Sequence, residues 1–379
     1  MSATGLGDRL VYDLDGIGAQ YDTLLRELPG VHVRFALKAC PVDEVLRFLA
    51  GRGIGVDAAG PREITQALGA GVPVGRVHYG NTVKSDEDIA DAHRLGIRDF
   101  ATDTVEDVRA VAAHAPGARV FCRLATTGEG ALWGLSEKFG CDPGEAVEVM
   151  CLAQESGLVP AGLSVHVGSQ QMTADAWQDA FADLAETMTA LRGRGVVLDH
   201  VNLGGGLPAL GYADRYGAPL DPPLDKIFAV LREGLRHLRD QHGEPLDFVV
   251  EPGRHLVADH GTVHARVVRM TRRRGPDGEE RHWLYLSVGR FNGLYETDAL
   301  QYPLVFPGTA PGAARVLARV AGPTCDSDDA FPGLVSVPEG LRSGDPVQVR
   351  SSGAYAASYM TRGFNGFAPL PHHCTGGKA

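Results

Sequence analysis

The sequence predicts an α/β protein in which a (β/α)8 barrel is joined to an antiparallel β domain. Eight short apolar runs alternate with amphipathic helical patterns along the first two-thirds of the 379 residues. The eight units occupy roughly 230 residues, which favours a closed TIM-type barrel over the alternative, a doubly wound open sheet. After about residue 260 the pattern changes to short alternating segments separated by turns.

Each predicted strand is a short apolar run that ends in a polar or glycine-rich segment. The predicted strands are Val33–Leu37, Ile54–Asp57, Arg76–Tyr79, Arg98–Ala101, Arg119–Leu124, Ala161–His166, Leu198–Leu203 and Asp247–Val250. Apolar residues at three- and four-residue spacing predict helices between them. These helices are Val42–Leu49, Pro61–Leu68, Glu87–Leu95, Val105–Ala113, Pro143–Gln154, Ala174–Leu191 and Asp225–Leu238. Ser85, Asp142 and Thr173 stand just before three of these helices and suit N-caps or first turns.

Four alternating segments predict the β domain: ARVVRMTRRR, HWLYLSVG, ARVLARVAG and DPVQVRSSG. The polar residues Arg272–Glu280 are expected to form a hairpin tip rather than a nucleic-acid patch, because acidic residues stand beside the arginines. The predicted division is a cofactor-binding barrel over residues 14–260 and a β-sheet domain over residues 1–13 and 261–379.

The composition excludes several classes of partner. The formal net charge of −11 disfavours nucleic acid and anionic membranes. No apolar run approaches the ~20 residues that span a bilayer. The amino terminus also lacks the basic start and apolar stretch of a signal peptide, so a cytoplasmic protein is expected. None of the six cysteines forms a CxxC pair, which predicts free thiols and no metal site.

Polar residues stand where the predicted strands end, which is where barrel enzymes carry out their chemistry. In strand order they are Lys38, Asp57, Arg123, His166, Gly204–Gly206, Glu251 and Arg254. Taken singly, each has an ordinary structural explanation, such as a loop lysine, a core histidine, a glycine turn or an ion pair. Their occurrence on successive strand ends instead predicts an active site.

The glycine triplet points to an anionic ligand, because backbone N–H groups without a Cβ can approach an oxyanion closely. Gly204–Gly206 and Arg254 fall in the loops after strands seven and eight, the usual phosphate site of such a barrel. A lysine in the same site predicts a Schiff base with pyridoxal 5′-phosphate (PLP). The alternative is a sugar-phosphate enzyme in which Lys38 is a Schiff-base or general-base lysine.

These residues lie in segments that resemble the fold-type III PLP-dependent decarboxylases, the family of ornithine, lysine and diaminopimelate decarboxylases. The matching segments follow the family order along nearly the whole chain: RFALKAC, GVDAAGPREI, LSVHVGSQ, NLGGGLP, VVEPGRHLV, AGPTCDSDD and GAYAASYMTRGFNGF. The resemblance implies an alanine-racemase-like barrel and a homodimer with shared active sites. It also implies an enzyme that converts an L-amino acid with a distal amine, such as ornithine or lysine, into the amine and CO2.

The resemblance assigns a role to each matching residue of the cofactor site. Lys38 carries the cofactor through a Schiff base, with Asp57 as its neighbour. His166 stacks on the cofactor ring and Glu251 holds the ring nitrogen protonated. The other implied cofactor ligands, near the ring oxygen or at the phosphate, are Arg123, Ser169, Gly205, Gly206, Arg254 and Tyr355.

The resemblance also implies which residues meet the substrate. Cys325 and Asp326 would reach in from the partner subunit. Cys325 would protonate the α-carbon after CO2 leaves, and Asp326 would bind the distal amine. Arg290 is either a carboxylate ligand or a surface arginine. The residues implied to line the pocket or set its length are Phe364, Asn365, Arg290 and Glu296.

Glu251 favours a decarboxylase over a racemase within this resemblance. A carboxylate keeps the ring cationic and therefore a strong electron sink, whereas the racemases of this fold place an arginine there. The Cys325-Asp326 pair resembles the ornithine-type enzymes, while diaminopimelate decarboxylases usually have Cys-Glu-Ser. Diaminopimelate or a conjugated diamino acid as substrate, a racemase, and a non-catalytic homologue stay open as alternatives.

Overall fold

The computed structural model describes residues 7–134, 138–275 and 278–377. Two compact units account for the chain. The barrel unit comprises Ala19–Pro208 and Pro222–Gly253, and the β unit comprises Met1–Gly18, Ala209–Asp221 and Arg254–Ala379. The sequence-based division at residues 13 and 260 remains a proposal about the functional domains.

The barrel unit contains the predicted closed sheet of eight parallel strands. Each strand pairs with the next barrel strand along the chain, and the last closes on the first. With β1 (Arg9–Asp13) preceding them in the β unit, the barrel strands are β2 (Val31–Ala36), β3 (Gly55–Ala58), β4 (Val77–Tyr79), β5 (Asp99–Thr102), β6 (Arg119–Arg123), β8 (Val159–Ser164), β10 (His200–Asn202) and β12 (Asp247–Val250). Two short strands of the same unit, β7 (Ala131–Trp133) and β9 (Ser169–Gln171), pair antiparallel.

The predicted strands overlap the observed ones, and no end differs by more than two residues. Two of these shifts matter for the site. β2 ends at Ala36, so Lys38 lies in a single 3-10 turn, Leu37–Ala39, after the strand. β8 ends at Ser164, so His166 lies in the following loop.

Helix α1 (Leu14–Glu27) precedes the barrel strands and was not predicted. As predicted, a helix follows each of the first seven barrel strands: α2 (Asp43–Gly51), α3 (Pro61–Gly69), α4 (Asp86–Arg94), α5 (Val105–His114), α6 (Pro143–Glu155), α7 (Asp175–Gly193) and α8 (Leu224–His242). The β unit adds the short α9 (Arg254–Val257). α8 shows why they form: its buried residues recur at three- and four-residue spacing from Ile227 to Leu238, so one stripe faces the core.

The predicted helix starts are confirmed at two positions and wrong at one. Ser85 caps α4 by accepting a hydrogen bond from the Asp88 N–H, and Asp142 forms a capping box with Glu145. Thr173 is not the cap of α7, because that position is Ala174. The Thr173 hydroxyl instead accepts the Asp175 N–H at 3.2 Å, one residue further out.

The β unit is built on an eight-stranded, mainly antiparallel sheet. The strands of this sheet are β1, β13 (Gly261–Arg274), β14 (Glu280–Leu286), β16 (Leu304–Val305), β17 (Arg315–Ala321), β18 (Ala330–Pro338), β19 (Pro346–Val349) and β20 (His372–Thr375). The β unit also contains β11 (Ala213–Asp214) and β15 (Leu300–Gln301). β11 and β15 form a separate small pair. Two pairs, β1 with β20 and β14 with β17, are parallel, which differs from the predicted antiparallel pattern. Parallel pairing is possible because long connections join the strands of each pair.

The predicted hairpin lies between β13 and β14, which pair antiparallel as far as Arg274 and Glu280. Residues 276 and 277 of the predicted tip lie outside the described residues. Within the described ranges, no helix combines the length and the apolar character needed to cross a membrane.

Candidate active site

Lys38 and Asp57 lie side by side at the carboxyl ends of neighbouring strands. The Lys38 Nζ is 3.3 Å from the Asp57 Oδ2, and the lysine side chain is 46% exposed while the aspartate is 3% exposed. Burial alone would raise the pKa of Asp57, but the Lys38 charge and a hydrogen bond with His78 outweigh it and lower the pKa below its ordinary value. Asp57 is therefore an ionised partner that orients a reachable lysine amine.

Glu251 is held at the end of β12 by two polar contacts. The Asn202 Nδ2 donates to the Glu251 Oε1 at 2.5 Å, and the His78 Nε2 lies 3.0 Å from the same oxygen. The Asn202 Oδ1 in turn accepts the Gly204 N–H at 2.9 Å. Asn202 thus fixes both the carboxylate and the start of the glycine loop.

The glycine loop requires glycine at two positions for different reasons. Gly204 has a φ of +63°, and a Cβ there would lie 2.0 Å from the Val165 carbonyl oxygen. At Gly205 a Cβ would crowd the His166 Nε2 at 3.0 Å and the Glu251 carbonyl oxygen at 3.1 Å. Because these Cβ atoms are missing, the loop backbone stands bare beside His166 and Glu251. Bare backbone of this kind can hold an anionic group.

The loop that carries Ser169 is tied to this cradle. Ser169 begins β9 and lies opposite Trp133 of β7. The Gln171 N–H, at the end of β9, donates to the Gly206 carbonyl oxygen at 3.0 Å. The structure therefore brings Ser169, Gly205 and Gly206 into one part of the barrel unit.

His166 is buried as a neutral ring. Burial, Arg123 and Lys38 lower the pKa of His166 to about 3. Its Nδ1 accepts the Gly168 N–H at 3.1 Å, which also requires that this nitrogen carry no proton. A neutral imidazole across the working pH range suits a flat surface for stacking rather than a proton donor.

Arg123 ends β6 with its guanidinium 4.9 Å from the centre of the Phe139 ring. Burial lowers its pKa, opposed by the charge of Glu251. An arginine stays protonated even so, so Arg123 provides a fixed positive charge near His166.

Two residues of the barrel site were missed from the sequence. His78, the central residue of β4, is 2% exposed and bridges Asp57 and Glu251. Asn202, the last residue of β10, is 1% exposed. Both stand inside apolar strands, where a polar residue needs a partner, and that position was the available signal.

The other predicted residues lie in the β unit, where Arg254 and Glu296 form a buried ion pair. The two guanidinium nitrogens donate to the two carboxylate oxygens at 2.6 Å each, with side-chain exposures of 4% and 8%. Arg254 also donates to the Tyr212 hydroxyl at 3.1 Å and stands 4.8 Å from the centre of the Tyr355 ring. The sequence predicted separate roles for Arg254 and Glu296 and did not predict that they would pair.

Replacing either member of this pair by methionine should lower the free energy of unfolding by about 3–5 kcal/mol, because the other charge is left buried and unpaired. The double variant Arg254→Met with Glu296→Met should lose less than the sum of the two single variants. Urea denaturation of the four proteins measures this coupling. The exposed Arg52–Asp22 pair is the control and should show little coupling. Additive losses at Arg254 and Glu296 would contradict a direct pair.

Cys325 and Asn365 are neighbours in the β unit. The Cys325 N–H donates to the Asn365 Oδ1 at 2.8 Å, and the Cys325 side chain is exposed. Phe364 packs against Phe291 with ring centres 4.7 Å apart. Asp326 is exposed, and its Oδ1 accepts the Asp328 N–H at 2.8 Å. Cys325 and Asp326 therefore lie on an exposed loop that is hydrogen-bonded to the turn carrying Phe364 and Asn365.

Asp329 organises this loop and was also missed. It is 2% exposed and accepts the Thr324 N–H at 3.0 Å, the Thr324 hydroxyl at 2.6 Å and the Arg290 N–H at 2.7 Å. The Arg290 guanidinium lies 3.6 Å from Asp298 and over the Tyr295 ring. The sequence did not single out Asp329, because it stands beside Asp328 and nothing in the sequence distinguishes the two aspartates.

A cavity of about 560 Å³ at the opposite end of the barrel is a less suitable site. It is lined by residues from the starts of the strands, among them Asp99, His200 and Asp247. Arg119 there donates to Asp99 at 2.9 Å and to Asp199 at 2.8 Å. Polar networks at this face of such barrels stabilise the fold, and the chemistry lies at the other face.

The residues of the barrel unit fit PLP by their own chemistry. Lys38 offers a reachable amine beside an acid, and the glycine loop offers bare backbone for a phosphate. Among the described residues, the hydrogen-bond and ion-pair contacts of the Glu251 side chain go to Oε1, so Oε2 is the oxygen that could accept from a protonated ring nitrogen. A reachable lysine amine beside an acid, a glycine loop and a second carboxylate on one barrel are the groups that a PLP-dependent enzyme needs.

The family comparison agrees with this class. The family model of the pyridoxal-dependent decarboxylases, pyridoxal binding domain, matches residues 14–258. The chain therefore belongs to the family of PLP-dependent amino-acid decarboxylases.

Relatives and solved structures cover almost the whole chain. A lysine/ornithine decarboxylase of Selenomonas ruminantium is 30% identical over 96% of this chain and 88% of that protein. An ornithine decarboxylase of Caenorhabditis elegans is 29% identical over 96% and 86%. The crystal structure of lysine/ornithine decarboxylase complexed with putrescine from Vibrio vulnificus matches with a TM-score of 0.85 at 29% identity, over 98% of this chain and 95% of that one. SrLDC in complex with PLP and cadaverine matches with a TM-score of 0.85 at 28% identity, over 98% and 91%.

Proposed function

We propose that this protein removes the α-carboxylate of an L-amino acid with a distal amine, of the ornithine or lysine type, as a cytoplasmic homodimer with shared active sites. The observation that carries the proposal is the Glu251 carboxylate, fixed by Asn202 and His78 on the same barrel face as the Lys38–Asp57 pair. The relatives named for lysine and ornithine, and a neighbour complexed with putrescine, support a diamino acid as substrate.

Each barrel residue has one task in this proposal. PLP, bound through Lys38, supplies the electron sink for the bond that breaks at the substrate α-carbon. Asp57 orients the Lys38 amine, and Glu251 accepts a hydrogen bond from the ring nitrogen and keeps it protonated. His166 would stack on the cofactor ring as a neutral imidazole, and Arg123 would supply a positive charge for the ring oxygen. The backbone at Gly205 and Gly206 holds the phosphate with Ser169.

The β-unit assignments complete the proposal. Arg254 and Tyr355 remain assigned to the phosphate, and Cys325 of a second subunit donates the proton that replaces CO2 on the α-carbon. Asp326 is the carboxylate assigned to the distal ammonium, since a carboxylate and an ammonium form a charge-assisted hydrogen bond. Glu296, whose two oxygens accept from Arg254, is assigned only to the segment that sets the length of the pocket. Arg290, Phe364 and Asn365 belong to the proposed pocket wall.

A substrate panel tests the function. Ornithine, lysine, arginine, diaminopimelate, 2,4-diaminobutyrate and a carboxylate-bearing conjugate are supplied in D2O, with CO2 release and α-deuterium exchange measured together. We expect CO2 from ornithine or lysine with kcat/KM about tenfold or more above the others. Exchange without CO2 would identify a racemase. Bound cofactor without turnover of any member would identify a non-catalytic homologue.

A further inference from the structure

His78 occupies a position between the two acids of the barrel site. Its Nε2 lies 3.1 Å from the Asp57 Oδ1 and 3.0 Å from the Glu251 Oε1. The ring is 2% exposed, and its other face packs near Phe121 with ring centres 5.1 Å apart. One nitrogen therefore contacts a carboxylate on β3 and a carboxylate after β12.

His78 contacts one oxygen of Asp57 and one oxygen of Glu251. The second oxygen of Asp57, Oδ2, faces the Lys38 amine at 3.3 Å. The second oxygen of Glu251, Oε2, is the one left for the cofactor ring nitrogen. His78 thus sets the rotation of both carboxylates without occupying the oxygen that each one needs for its proposed task.

Electrostatics explain why a histidine is needed here. Two ionised carboxylates facing one another in a buried site repel, and one would take up a proton unless a donor stood between them. Burial and the charge of Arg34 on β2 lower the pKa of His78, but the hydrogen bonds with Asp57 and Glu251 outweigh them and raise the pKa above its ordinary value. Lys38 lies across Asp57, and Arg123 also interacts electrostatically with Glu251 and Asp57. Glu63 adds a carboxylate that interacts with Asp57 and Lys38.

We propose that His78 is a positioning residue of the active site: its Nε2–H is shared by Asp57 and Glu251 and holds both carboxylates in place, one turned to Lys38 and one to the ring nitrogen. This inference rests on the proposed function. His78 connects Asp57, beside the Lys38 amine, with Glu251, the proposed partner of the ring nitrogen. A change at His78 should therefore alter the protonation of the lysine and of the ring together. An ordinary buried histidine would alter stability alone.

The test compares His78→Leu, which removes the donor, with His78→Gln, which keeps an N–H. The control is His242→Leu, because His242 is also buried in the barrel unit and its ring contacts the Leu198 carbonyl at 2.9 Å and Arg192 at 3.1 Å, away from the site. Each purified protein is titrated with PLP. The visible absorbance of the bound cofactor is then followed against pH, and kcat and KM are measured on the preferred substrate.

We expect His78→Leu to bind PLP roughly tenfold to a hundredfold more weakly and to shift the midpoint of the absorbance titration by about one pH unit or more. The fall in activity should lie in kcat rather than in KM, and His78→Gln should recover most of the cofactor affinity. Curves for His78→Leu that overlay those of the wild type, or move no further than those of His242→Leu, would overturn the inference.

A second measurement does not depend on the folding of a variant. In wild-type holoenzyme labelled with 15N-histidine, the His78 signal, assigned by its absence from His78→Gln, should report a protonated Nε2 between about pH 6 and 9. An Nε2 without a proton cannot donate to either carboxylate and would refute the proposal. The PLP titration with its absorbance curve and the 15N-histidine signal are both independent of CO2 release. An enzyme that binds PLP but releases no CO2 would therefore refute the proposed function and leave the role of His78 to be decided by these two readouts.

Discussion

Lys38→Ala is expected to abolish the covalent attachment of PLP and to lower kcat/KM by roughly 10³-fold or more. The lysine has the exposed amine of the barrel site, and Asp57, which orients it, has no other lysine beside it among the described residues. The wild-type holoenzyme should absorb at about 420 nm, as expected of a lysine Schiff base, and the variant should not. Borohydride reduction followed by peptide mass analysis should place the cofactor on Lys38 in the wild type.

The control for this prediction is Lys226→Ala, which removes an exposed lysine from α8. It should retain the absorbance band and full activity. Cofactor found by mass analysis on a lysine other than Lys38, or turnover unchanged in Lys38→Ala, would contradict the assignment of Lys38. Added free amines should restore part of the activity of Lys38→Ala without restoring the absorbance of a protein-bound lysine adduct.

The barrel could be predicted from sequence because its information is local and repeated. Each strand is a run such as Asp247–Val250, in which burial requires continuous apolar residues, and each helix has a stripe such as that of α8. Parallel strands need crossover connections, so eight alternations leave few topologies. Strand ends then meet at one face, which is why residues as distant as Lys38 and Glu251 were predicted to share one site.

The contacts within the site could not be predicted in the same way. His78 meets Asp57 because the two residues are register partners on β4 and β3, and it meets Glu251 because closing the barrel puts β4 and β12 around one interior. No local pattern encodes either arrangement. The Arg254–Glu296 pair joins residues 42 positions apart, for which the sequence predicted separate roles. The polar contacts therefore follow from the tertiary arrangement, whereas the strands and helices follow from periodicity.

The N-cap of α7 is another residue that the sequence alone could not identify. Thr173 and Ala174 both precede the helix, and the sequence favours threonine as the cap. The structure places Ala174 at that position and uses the Thr173 hydroxyl one residue earlier, where it accepts the Asp175 N–H. Residue preference gives the region where a helix starts, and the path of the preceding loop decides the residue.

Glu251→Gln should lower kcat by about 10²- to 10³-fold while the protein still folds and still binds PLP through Lys38. The amide has the shape of the carboxylate, so its oxygen can still accept the hydrogen bond from the Asn202 Nδ2. It carries no charge, however, and cannot stabilise a proton on the ring nitrogen. The ring becomes a weaker electron sink, and this deficit matters only while the bond to CO2 is breaking.

The loss should therefore appear in kcat, with KM changed by no more than roughly threefold, because a group that acts only in the transition state does not alter substrate binding. Steady-state CO2 release and a PLP titration of Glu251→Gln measure the two quantities separately. The exposed Glu155→Gln on α6 is the control and should match the wild type in both. A Glu251→Gln enzyme with normal kcat would mean that the ring nitrogen needs no acid, and the preference for decarboxylation that rests on Glu251 would lose its physical basis.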